Sequence, residues 1–158
     1  MSLAIELAAL FRRDIARLVQ EVRAFPADAP LWETRPGVAN SAGNLALHLE
    51  GNLRDFIGRQ LGGVEYTRQR ELEFSTKDVP RDTLATRLEE VQELVYGTVA
   101  ALSAAQLDEI YPINVLGVEL TTRQFLMHLY GHLSFHLGQV DYLRRVVTGD
   151  GALKFVRL

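Results

Sequence analysis

Four stretches of this chain repeat apolar residues at steps of three and four, and that pattern leaves few folds open. Over residues 2–23 the stripe is Leu7, Phe11, Ile15, Leu18 and Val22, which share one face of a helix of 3.6 residues per turn. Pro26 and Pro30 break it. A second helix is expected from Asn40 or Ser41, both good N-caps, to about Leu61, with Leu45, Leu49, Leu53, Phe56 and Gln60 on its apolar side and Gly62-Gly63 as its stop. The third begins between Asp78 and Thr83, carries Leu84, Leu88, Val91 and Val95, and fades by Leu102. The fourth starts at the capping-box pattern Thr121-Thr-Arg-Gln124 and runs to about Val147, before Gly149. Amphipathic helices of this length bury their apolar faces against each other. The expectation is an all-α fold, a four-helix bundle in a single domain over residues 1–158. The polar run Glu65–Lys77 reads as a long crossover between helices two and three, with room for a short helical turn. Ser103-Ala-Ala-Gln106 is a second capping-box match and predicts a short helix. The weak alternation from Tyr111 to Leu120, around Leu116-Gly117, fits a small β-hairpin or an extended loop.

The composition removes several function classes. With 158 residues, 47% hydrophobic and 23% charged, the chain is globular and long enough for its own core. A net charge of −3 argues against a nucleic-acid or anionic-membrane partner. No Cys is present, which excludes disulfides, Cys-zinc sites and Cys nucleophiles. No apolar run approaches the roughly 18 residues of a membrane span, and Glu6 stands where a secretion signal would carry positive charge. The expected location is therefore cytoplasmic.

The fourth helix carries the chemistry. His132, His136 and Gln139 fall in the same sector as Phe125 and Leu143, on a wheel of about 100° per residue. Two imidazoles and an amide thus occupy positions where the pattern asks for Leu or Ile, and buried polar groups need partners. His132 and His136, four apart, lie about 6 Å from each other along the axis, so one cation can engage both. His128 also precedes His132 by four, but His128 and His136 are about 12 Å apart, so one pair must be chosen. His136 is central in the apolar sector and His128 is at its edge, which favours His132 with His136. His48, on the second helix, shares its face with Asn44, Gly51, Asn52 and Asp55. That small, polar composition suits a cavity wall and a solvated face equally, so periodicity leaves His48 undecided. Asn52, His128 and Gln139 are candidates to support the ligands from outside, against plain packing for Asn52 and Gln139 and a rim position for His128. The chain has no His-Glu-x-x-His, no Glu-x-x-His, no phosphate-binding glycine loop and no Gly-x-Ser-x-Gly.

The run His132-Leu-Ser-Phe-His136-Leu-Gly-Gln139-Val140-Asp-Tyr142 resembles the last-helix motif of the DinB-like superfamily of metalloenzymes. Asn40-Ser-Ala-Gly-Asn44-Leu-Ala-Leu-His48-Leu-Glu-Gly-Asn52-Leu-Arg resembles its second helix. Trp32, Arg68-x-Arg70-x-x-x-Phe74 and Tyr111-x-Ile113…Gly117-x-Glu119-x-Thr121 are similar to one branch, which often carries Gln-Trp where this chain has Asp55-Phe56. The resemblance spans most of residues 31–142. It implies a four-helix bundle, commonly a homodimer, in which His48, His132 and His136 hold a divalent metal. It also implies that a low-molecular-weight thiol can serve as cosubstrate. It supplies no catalytic acid or base.

Three neutral imidazoles would leave a divalent ion its full charge and open positions, the layout of a catalytic metal. Such ligation suits Zn, Ni or Fe rather than Ca or Mg. The leading expectation is a metal-dependent enzyme that transfers a low-molecular-weight thiol to a small electrophilic substrate. The alternatives are a hydrolase that uses a metal-bound hydroxide, and a non-catalytic binding module that the metal stabilises.

Overall fold

A computed structural model describes residues 2–115 and 117–155. Helix α1 spans Leu3–Arg23, and its Ser2 cap accepts the Ile5 amide. All five residues of its predicted stripe are buried. A single turn, α2 (Asp28–Leu31), follows. The second long helix is α3, Ala42–Leu53, capped by Ser41, whose hydroxyl accepts the Asn44 amide at 3.1 Å. It continues as a π-helical segment, Arg54–Arg59, where Gln60 N–H reaches back to the Asp55 carbonyl and Gly62 N–H to the Ile57 carbonyl. Gly63, at φ +66°, ends the turn. The long connection carries α4 (Arg70–Ser75). Helix α5 spans Arg81–Ala100 directly after Pro80, and the short α6 covers Ala104–Asp108. Helix α7, Thr122–Thr148, is the longest and stops at Gly149 in the left-handed region. Both capping boxes form as the sequence predicts.

Side-chain pairs fix the helix directions. Glu50 meets Arg87, Arg54 meets Glu90, and Gly58 lies against Leu94. Residue numbers rise together along this seam, so α3 and α5 run parallel. Parallel neighbours need a connection that travels the length of the bundle, which is why residues 60–80 are long. On the α1–α5 seam Arg23 pairs with Glu89 and Arg12 with Glu93, so those helices are antiparallel. On the α1–α7 seam Asp14 bonds Tyr130 and Ser134, and Glu21 pairs with Arg144, so those two run parallel. The bundle is up, down, down, up, with α1 and α3 at opposite corners.

The structure decides two alternatives that the sequence leaves open. Among the described residues there is no hairpin before α7; the segment makes one isolated antiparallel bridge, Ile110 with Thr121. Its apolar side chains Ile110, Val115 and Val118 are exposed, so no buried face holds an alternating strand in register. Leu116, the centre of the expected turn, lies outside the described residues. The polar face of α3 is also not solvated: all twelve residues of that helix are buried, including Asn44, His48 and Asn52. Among the described residues no helix is long and apolar enough to cross a membrane.

Candidate metal centre

His48 projects from the middle of α3, and His132 and His136 from successive turns of α7. The fold brings all three together: one ring nitrogen from each lies within 4.8 Å of the others. His132 Nε2 is 3.2 Å from His48 Nε2 and 3.1 Å from His136 Nε2. The three rings meet edge to face, with interplanar angles of 74–86°.

The outer nitrogens show what the inner ones offer. His48 Nδ1 is 2.8 Å from Glu73 Oε2. An ionised carboxylate only accepts, so the proton sits on Nδ1 and leaves Nε2 as a bare lone pair. Burial acts to raise the pKa of Glu73, but the hydrogen bonds from Arg68 and His48 outweigh it and keep the carboxyl below its ordinary value. Arg68 grips both carboxylate oxygens, at 2.7 and 2.9 Å. Its other approach, to His48 Nδ1 at 3.4 Å, is too long to compete with Glu73. On the far side, His136 Nδ1 is 2.6 Å from Gln139 Oε1, which fixes the same tautomer there.

Two Nε2 lone pairs therefore face a third Nε2. His132 can donate at most one proton between them, and its own Nδ1 is buried with no partner. Burial, and then the two neighbouring imidazoles, lower its pKa to about 4, so it cannot bridge the site as a cation at neutral pH. Burial also lowers His136, against the opposing pull of Gln139. The cluster is left one electrophile short. Tetrahedral zinc–nitrogen bonds of about 2.0–2.1 Å would set the nitrogens about 3.3 Å apart, close to the two measured separations. The donor set fits a divalent transition metal.

The remaining expected residues divide. Gln139 touches His136 as described. Asn52 is buried one turn beyond His48, and its Oδ1 has no partner. His128 is exposed, stacks on Phe125 at 5.9 Å, and is not one of the three grouped nitrogens. Sequence reasoning missed Glu73, although it singled out Arg68 and Phe74 on either side. Glu73 comes from the crossover, where no periodicity marks a buried residue. The one available signal was Gly51: a Cβ there would overlap the Glu73 carboxylate, so the small residue marks a close neighbour without naming it.

A family model described as mycothiol-S-transferase matches residues 6–149. Among solved structures, a DinB-like protein from Bacillus cereus aligns with a TM-score of 0.69 at 18% identity, over 91% of each chain. A conserved protein from Enterococcus faecalis gives 0.74 at 16% identity, over 95% of this chain and 99% of its own. A DinB-like protein from Bacillus subtilis gives 0.70 at 18% identity, over 95% and 96%. These likenesses show the fold. Comparison with curated proteins gives no match.

Proposed function

The chain belongs to the mycothiol-S-transferase family, and from that premise we propose that it is a metal-dependent transferase joining a low-molecular-weight thiol to a small electrophile. The observation that carries this reading is the convergence of three imidazole nitrogens that a single shared proton cannot all satisfy. His48, His132 and His136 would hold the ion, with Zn, Ni or Fe as the fitting class. When bound through neutral imidazoles, such an ion keeps its charge and lowers the pKa of a thiol at an open position. The first candidate thiol is mycothiol, the one in the family's name.

The chain's own residues prepare the site. Glu73 and Gln139 hold the Nδ1 protons of His48 and His136, which keeps both Nε2 atoms free to donate. Arg68 offsets the charge of Glu73 and keeps that carboxylate in place. The transfer needs no Cys from the protein, and there is none. The thiol gives up its proton to solvent, its sulfur pair forms the new C–S bond, and the leaving group departs with the electrons of the bond it breaks.

Two measurements test the reading. Elemental analysis of freshly purified protein at neutral pH should find a divalent transition metal; protein that takes up none overturns it. Turnover of a small alkyl halide should depend on added thiol. Turnover indifferent to thiol would assign the site to a hydrolase instead.

A further inference from the structure

The cluster has a neighbour that the metal reading does not use. A cleft of about 460 Å³ opens between residues 35–40 and the C-terminal half of α7, with His136 and Gln139 at one end. That volume is within the ~300–1,000 Å³ of small-molecule sites. Its walls are apolar: Val38 from the loop, Leu45 from α3, and Leu143 and Val146 from α7. Arg35 is its single charged lining side chain; no carboxylate lines it among the described residues.

We propose that this cleft receives the electrophile and selects a molecule with an apolar body and one carboxylate. The assignment of the occupant as substrate rests on the transferase reading above; its chemical class rests on the cleft. Continuity places the occupant against the site, because His136 belongs both to the cleft and to the cluster. Charge complementarity sets the anionic group. Arg35 pairs with Glu33, but Glu33 lies outside the cleft and its side chain is 45% exposed, and exposed pairs of that kind are weak. A guanidinium has five donors, so Arg35 can keep Glu33 and still bind a carboxylate. Apart from Asn40, Tyr142 and the His136–Gln139 end, the walls offer little hydrogen bonding, which suits an apolar body.

The test is calorimetric titration of metal-free, thiol-free protein with 4-phenylbutyrate, 4-phenylbutan-1-ol and 4-phenylbutylamine. The acid should bind at least ~10-fold tighter than the alcohol, since a charge-assisted bond is about twice as strong as a neutral one, and the amine should bind weakest. Arg35→Gln should erase the preference for the acid, and Val146→Asp should weaken acid and alcohol together. Equal affinity for acid and alcohol, an unchanged preference in Arg35→Gln, or no binding of any probe overturns the proposal. So does self-association in sedimentation that Val146→Asp abolishes while no probe binds, which would give the cleft to a second copy. Because this arm uses neither metal nor thiol, the two readings fail separately. Acid-selective binding without thiol-dependent turnover removes the transferase and keeps the cleft; thiol-dependent turnover with equal KM for anionic and neutral electrophiles does the reverse.

Discussion

Protonating His132 would put a cation between two other imidazoles in a half-buried site. Burial and those neighbours therefore hold its pKa at about 4, well below the 6.5 of an unfolded His. Above pH 6.5 both states are neutral at this residue and stability is fully present; as pH falls toward 4 the unfolded chain takes up the proton first, so stability drains away. His136 acts in the same direction. Thermal melts of the metal-free protein should fall steadily between pH 6.5 and 4, and His132→Leu should flatten part of that slope. Under the proposed function the same residue should decide metal uptake. His132→Ala should abolish it, while His128→Ala, exposed and off the cluster, should leave it nearly unchanged; equal losses in dialysis against zinc would show the ligand set to be wrong. Glu73→Gln keeps the shape but loses the charge that holds His48 in its tautomer, and should weaken binding by about 10–100-fold.

Helix α3 shows how an element can be legible in its ends and opaque in its faces. Ser41 as cap and Gly62-Gly63 as stop were readable, because those residues act within a few positions of themselves. The environment of His48 was not, because a small polar face has one composition whether it meets solvent or another segment. What buries it is the crossover folding back: Asn44 donates to the carbonyls of Glu73 and Thr76, which docks α4 against α3. The pair His132 and His136 was readable because both stand in a strong apolar stripe, where an imidazole is out of place. Gly51 tests the docking. Alanine there must displace the Glu73 carboxylate, which cannot swing aside without losing Arg68 and His48. Gly51→Ala should therefore lower zinc affinity in the manner of Glu73→Gln. Gly97→Ala on α5, where a Cβ meets nothing within 4 Å, should leave affinity alone and stabilise the fold by about 0.5–1 kcal/mol.

At the scale of the bundle, the α1–α7 seam works independently of the metal cluster. His132 and His136 face α3, whereas Tyr130, Ser134 and Arg144 face α1. Asp14 gathers Arg13, Tyr130 and Ser134 at one point of that seam. Farther along, Glu21 and Arg144 form an ion pair with side chains 0% and 1% exposed. Arg144 also donates to the Gly151 carbonyl at 3.0 Å, which ties the chain beyond α7 to the bundle. Burial pushes the Glu21 carboxyl up, against the pull of Arg144, and its second oxygen has no partner. Such a pair holds two parallel helices in register but is a costly way to fill a core, because both ions are out of water. Removing one partner strands the other: Arg144→Met should cost about 3–5 kcal/mol in denaturant unfolding. Replacing both, Glu21→Leu with Arg144→Met, should recover most of that loss, because no buried charge is left to solvate. Zinc uptake by whichever variants fold should match the parent, since none of these atoms touches the three rings. A double variant as unstable as the single one would instead place the stability of this seam in the tether from Arg144 to Gly151, which both variants lack.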